Sequence, residues 1–173
     1  MRLIVLSLFS VVVFSCNSSS KLASKSEKEL VSGFENLLSQ FNALYNVEQN
    51  KDTIQLNSLN DSLKLYVEAL VEKDTTNSSL ANLYFSFGET SMKLKNSELA
   101  LKYYNALVLS FPNNEDVPRA LYNIAYTYEN ILHDTDLAIE KYKYLYKTYP
   151  ETKWAENARS QVLYLNNPSF IGE

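Results

Sequence analysis

Between residues 83 and 150 the chain repeats itself at an offset of thirty-eight. Ala100, Tyr104, Leu107, Phe111 and Pro112 return as Ala138, Tyr142, Leu145, Tyr149 and Pro150, and Leu83 and Tyr84 return as Leu121 and Tyr122. A unit of this length with apolar residues spaced by threes and fours is a helical hairpin, and one such hairpin cannot bury its own apolar stripe. Each must stack on a neighbour, so the repeat predicts an array of hairpins with an inner and an outer surface.

Composition agrees with an all-α chain. Of 173 residues 46% are hydrophobic, and only three glycines and four prolines interrupt the pattern, which leaves little room for the turns a sheet requires. The length suits one compact domain. Sixteen basic residues against twenty acidic ones give a net charge of -4, with no basic cluster dense enough to follow a phosphate backbone, so nucleic acid is excluded as a partner.

Helical order begins at Ser26 and Glu29, spaced as a capping box ahead of Leu30, Phe34, Leu37, Leu38, Phe41, Leu44 and Tyr45. A second helix over about 56–71 puts Leu59, Leu63, Tyr66, Val67 and Leu70 on one face, with turns expected at 50–53 and 73–77. Residues 26–77 thus read as a hairpin and a degenerate repeat, because Leu63, Val67, Leu70 and Thr75 lie thirty-seven residues before Ala100, Tyr104, Leu107 and Pro112. Residues 78–166 read as two clear repeats plus a capping helix over 153–165, and 167–173 as a tail. The second repeat requires one inserted residue in the turn 133–136. Asp116 is expected to cap the helix that holds Pro118 in its first turn. The reading gives about seven helices after the leading segment.

Tyr84, Phe87, Gly88, Ala100, Tyr104 and Pro112 sit at the spacing of the tetratricopeptide repeat, which this stretch resembles, with Ser91 departing from the tyrosine preferred there. Small residues at Gly88 and Ala100 suit two helices crossing closely, Tyr104 suits a ring reaching the next repeat, and Pro112 cannot donate the bond that would continue its helix. The resemblance implies an α-α superhelix of hairpins that binds a protein or peptide partner along its concave face. Carried over by register, that face is Asn82, Phe85, Glu89, Met92 and Lys93, then Arg119, Tyr122, Tyr126, Glu129 and Asn130, then Asn157, Ser160 and Tyr164. Phe85 and Tyr122 read equally well as core. Tyr142, Leu145 and Tyr149 follow core spacing, which leaves Tyr144 and Tyr146 for the surface.

The leading segment is a different device. Arg2 precedes an apolar run over 3–14 that is too short for a bilayer, which takes about 20 residues, and suits an export signal. Val13-Phe14-Ser15-Cys16 resembles the bacterial lipobox, with Phe14 bulkier than its usual occupant. The resemblance implies a signal peptide over 1–15 and lipid attachment, palmitate included, at Cys16. A plain secretory signal cleaved nearby is the alternative. The serine-rich stretch 16–25 reads as a flexible tether. The long inter-repeat loops resemble the periplasmic branch of the repeat family, which includes a lipoprotein of outer-membrane β-barrel assembly and the Tol-Pal-associated cell-division coordinator. That implies an envelope adaptor, lipid-anchored in the outer membrane and facing the periplasm, where Asn17 follows the cysteine. An envelope hydrolase or glycan-processing lipoprotein, and a purely structural lipoprotein, are the alternatives.

No catalytic or metal constellation stands out. Cys16 is the only cysteine and His133 the only histidine, the latter in a polar turn, so no soft ligand set can form and no cofactor or metal is expected. Glu89, Asp116, Glu129 and Asp136 fall on helix faces or caps. The chain reads as a non-enzyme.

Overall fold

A computed structural model describes residues 20–46 and 52–167. They hold seven helices of at least fourteen residues: α1 (Glu27–Tyr45), α2 (Thr53–Lys73), α3 (Ser79–Lys93), α4 (Ser97–Ser110), α5 (Val117–Asn130), α6 (Thr135–Thr148) and α7 (Lys153–Asn166). No strand occurs among the described residues. The all-α expectation of stacked hairpins is met. The expected signal peptide, the lipidation site at Cys16, residues 50 and 51 of the expected turn and the tail beyond residue 167 lie outside the described residues.

The chain divides into two compact units, one ending at Leu80 and the other beginning at Ala81. In the first, α1 and α2 pack as an antiparallel hairpin whose buried residues include Leu30, Phe34, Phe41, Leu56, Leu63 and Val67. The capping box is formed as expected: Glu29 N–H donates to Ser26 Oγ at 3.3 Å, and Ser26 N–H donates to a Glu29 carboxylate oxygen at 2.8 Å. The Ser26 hydroxyl, which donates to the same carboxylate at 2.6 Å, and Ser26 N–H hold the Glu29 carboxyl below its usual range. The α2 helix runs longer than its apolar stripe at both ends, with Asp52 capping it through Gln55 N–H at 3.0 Å.

Residues 20–25, expected as the end of a loose tether, differ from that reading. They carry a helical turn that buries Leu22, and Lys73 Nζ donates to Ala23 O at 3.0 Å. One leucine among serines and lysines has no periodicity to betray it, and its place comes from the α1–α2 hairpin alone.

In the second unit the repeat is exact enough to be seen in the backbone. α4 and α6 stop at Phe111 and Tyr149 with φ,ψ of -133°,58° and -128°,58°, and each cap N–H donates to the leucine four residues back, Leu107 or Leu145, at 2.9 Å. Pro112 and Pro150 follow, and a residue before proline avoids the helical region. The turns repeat as well. Lys95 and His133, thirty-eight apart, both adopt left-handed φ, at 58° and 56°. The next residues, Asn96 and Asp134, cap α4 and α6 by accepting from Leu99 and Leu137 N–H at 3.1 and 3.0 Å. Asn96 N–H reaches back to Ser91 O at 2.9 Å, whereas Asp134 N–H reaches one residue further, to Tyr128 O at 2.8 Å. The inserted residue therefore sits inside this turn. Asp116 occupies the N-cap of α5, but contrary to expectation its side chain makes no capping bond. It stands in the helical region (φ -84°, ψ -5°), where the carboxylate is turned away from the first-turn N–H groups, and Pro118 removes one of those donors.

Each hairpin closes on a ring. A Cβ placed on Gly88 would lie 2.7 Å from Tyr104 Cε1, so α3 and α4 approach as closely as they do only because no side chain stands there. Tyr104 and Tyr142, the same position in successive repeats, are wholly buried, and burying a ring of that size stabilises by roughly 1.5–3 kcal/mol. The Tyr104 hydroxyl binds the following hairpin, and that of Tyr142 reaches the cap through Glu129 of its own hairpin. Asn123 Nδ2 donates to Tyr104 O–H at 3.0 Å. At the next joint Tyr142 O–H donates to one oxygen of Glu129 at 2.8 Å, and Gln161 Nε2 donates to the other at 2.6 Å. Asn123 and Gln161 are again thirty-eight apart, and Glu129 lengthens the second connection by one group. As expected, Tyr104 reaches the next repeat.

Candidate interaction face

Within residues 81–167, α5 packs against α4, α6 and α7, and its Arg119 side chain meets both α3 and α7. The three present one face. Its centre is a stack built around Arg119 on α5. The guanidinium donates to Glu89 of α3 and forms an ion pair with it. Its carbon lies 4.5 Å from the centre of the Phe85 ring and 5.7 Å from that of Trp154. Tyr122 continues the cluster, its ring 5.4 Å from Trp154 and 5.3 Å from Tyr142. Both rings lie within reach of the guanidinium, and cation-π contact adds to the charge pairing.

The register-derived residues separate into three groups. Phe85, Glu89, Arg119, Tyr122 and Glu129 are brought together through the contacts above. Asn82, Tyr126, Asn130, Asn157, Ser160 and Tyr164 lie on the same helix faces and are exposed, with Tyr126 and Tyr164 at 40% and 42%. Met92 and Lys93 are half-buried at the end of α3. Phe85 requires a correction as a lining residue: it is 5% exposed, packed against Tyr104 and covered by Arg119, so it forms the floor and offers no rim. Tyr122 is half-buried and contributes an edge.

Sequence reasoning missed Trp154 and Gln161. Trp154 is the only tryptophan in the chain and opens α7, and Gln161 stands in register with Asn123; those were the available signals. Of the tyrosines in α6, Tyr142 is core, Tyr146 lies beneath Arg159 at 5.5 Å, and Tyr144 is exposed. Tyr144 borders a cleft of about 410 Å³ between α4 and α6, floored by Leu121, Ile124 and Tyr128 of α5.

Two acids of this unit, Glu89 and Glu129, are held by partners. Burial raises the Glu89 carboxyl above its usual range, and Arg119 and Lys93 oppose that rise while Asp116 adds to it. Both oxygens of Glu129 accept hydrogen bonds. Among the described residues no three His, Cys, Asp or Glu side chains could hold one metal ion, and no helix is long and apolar enough to cross a membrane. His133 is exposed in its turn.

This arrangement of hairpins, small crossing residues and terminal prolines is matched by one known family model over residues 119–152. That segment is similar to a tetratricopeptide repeat. It spans α5, α6 and the turn into α7, which carry Arg119, Tyr122, Tyr126, Glu129 and Asn130. No curated protein matches the chain.

Proposed function

We propose that the chain is a membrane-anchored adaptor of the bacterial cell envelope, which holds a partner protein or peptide on the face formed by α3, α5 and α7. The observation that carries the reading is the chemistry of that face. A preorganised cluster of Arg119, Trp154 and Tyr122 adjoins exposed Tyr126 and Tyr164, and tryptophan, tyrosine and arginine are the residues that dominate binding energy at protein interfaces. The tetratricopeptide match supports a protein partner, since stacked hairpins expose one continuous surface to it.

The anchoring half of the reading rests on the apolar run over 3–14 and on Cys16. Lipid at Cys16 holds the chain in the outer membrane, facing the periplasm, because several acyl chains together bind a bilayer firmly where one binds reversibly. Fractionation of cells expressing Cys16→Ala is the test: the chain moves to the soluble fraction, and continued sedimentation with membranes defeats the anchor. For the interaction face, a photoreactive group at exposed Tyr126 crosslinks a discrete protein partner in intact cells. The same group at exposed Lys143, on α6, does not. Equal labelling from both positions rules the face out.

A further inference from the structure

We infer, on the reading that Cys16 carries lipid, that the first unit holds an anionic phospholipid headgroup of that same bilayer in the cavity beside residues 20–25. Nearness to the anchor argues for the occupant. Cys16 stands four residues before Ser20, where the described residues begin, and four residues of extended chain span at most about 14 Å. Beyond Ser20 the chain adds no slack. Leu22 is buried, Lys25 N–H donates to Leu22 O at 3.0 Å, and Lys73 Nζ of α2 donates to Ala23 O at 3.0 Å, so the turn is fastened to the α1–α2 hairpin. An acylated Cys16 therefore keeps the turn, and the cavity it borders, at the headgroup layer.

The cavity has the chemistry of that layer. It holds about 320 Å³ and is lined by Lys21, Leu22, Lys25, Ser62, Leu65 and Tyr66. Two ammonium groups and a hydroxyl can donate to phosphate oxygens, and the two leucines and the Tyr66 ring suit the glycerol and first methylenes behind the phosphate. The ion pairs among the described residues are Lys64 with Glu68, Arg119 with Glu89 and Lys141 with Glu140, and none of them engages a lysine of the cavity. Glu29, in the field of Lys25, is bound by Ser26, and Glu27 accepts from Asn77 Nδ2 at 2.7 Å.

On α2, Ser62, Leu65, Tyr66, Ala69 and Lys73 recur at helical intervals as the stripe toward the turn, which contains no acid. Asp61, Glu68 and Glu72 form the adjoining stripe, where Glu68 pairs with Lys64. Repulsion from that stripe confines the contact to the side of the turn. The unit as a whole carries more acids than bases, so the encounter comes from the anchor and not from long-range attraction. Tethering makes the binding intramolecular, with an effective lipid concentration on the order of millimolar.

The test uses the full chain purified with its lipid from envelopes and reconstituted in phosphatidylcholine vesicles with or without about 30% phosphatidylglycerol. Hydrogen exchange is the readout. A headgroup held only by the docked turn slows its opening by one plus the ratio of lipid to Kd, so the amides of 20–25 exchange about tenfold more slowly in the anionic vesicles when that ratio is near ten. Lys21→Gln/Lys25→Gln abolishes the slowing, and Lys143→Gln/Lys147→Gln on α6 preserves it. Equal exchange in both vesicles, from a chain that sediments with both, overturns the headgroup site and leaves the anchor standing. Slowing by soluble glycerol phosphate on the Cys16→Ala chain assigns the cavity to a free phosphate and overturns the bilayer as its source. Slowing in neutral vesicles that grows with protein density assigns the cavity to a second copy and overturns the lipid. A chain without lipid at Cys16 overturns the anchor and this inference with it.

Discussion

Both units of the molecule press a tyrosine against a glycine to bring two helices together, and they differ in what the ring does next. In the first unit a Cβ on Gly33 would overlap the edge of Tyr66, which is half-buried beside a cavity of about 320 Å³ lined by Leu22, Ser62 and Leu65. In the second, Gly88 faces Tyr104, which is wholly buried and bound at its hydroxyl by Asn123. A contact of the same kind is local packing in one unit. In the other it is a joint between repeats.

The largest effect expected from that difference is on the rings themselves. Tyr104→Ala costs about 3–5 kcal/mol, as for other fully buried aromatic rings, and loosens amide protection in both α3–α4 and α5. Tyr66→Ala costs less than half of that and is felt in α1–α2 alone. Hydrogen exchange on both variants reads the contrast, and equal costs would erase it.

Alkali separates the units next. Burial raises the hydroxyls of Tyr84, Tyr104, Tyr122 and Tyr142, and Glu129 adds to the shift at Tyr142; all four lie beyond residue 81. A raised folded-state value means stability that is whole below the unfolded tyrosine range near pH 10 and declines as pH rises above it. The slope is about 1.4 kcal/mol per pH unit for each ring that stays protonated in the fold. Exchange followed from pH 9 upward, corrected for intrinsic rates, should show 81–167 losing protection as the rings titrate. Protection flat to pH 12 would contradict the buried hydroxyls.

Substituting the glycines reverses an order that distance alone suggests. The overlap at Gly33 is the tighter of the two, yet Tyr66 can swing toward its cavity, so Gly33→Ala is near neutral and gains helix propensity. Gly88→Ala drives a ring with nowhere to go and costs about 1–3 kcal/mol. Thermal unfolding of the two variants decides between mobility of the neighbour and distance.

The smallest effect concerns Ser91, buried on α3, whose hydroxyl makes no hydrogen bond among the described residues. Ser91→Ala removes that orphaned group and stabilises by about 1 kcal/mol, read as a higher urea midpoint at unchanged slope. A loss of stability would show that the hydroxyl has a partner.

The parts of this structure that follow helical periodicity were legible in the chain. Spacing placed the helices within a few residues, Gly88 and Ala100 marked the crossings, and Pro112 and Pro150 marked the stops. The interaction face was legible only as a register, because the ties that assemble it join residues of irregular separation: Glu89 with Arg119, Tyr142 with Glu129, Glu129 with Gln161. Those pairs exist because whole hairpins stack, and no local pattern announces them. Phe85 shows the same limit from the other side, since its position on the inner stripe was readable while the guanidinium above it, which decides its exposure, was not.

The matching left-handed turns at Lys95 and His133 have one more consequence. A chain that enters and leaves a stretch in the same backbone state can lose or gain that stretch without altering either junction. Residues 95–132 are such a cassette: excision joins α3 directly to α6 through one authentic turn, and duplication lengthens the array by a full hairpin. The reach of the molecule along a partner is thus adjustable by recombination in steps of one repeat.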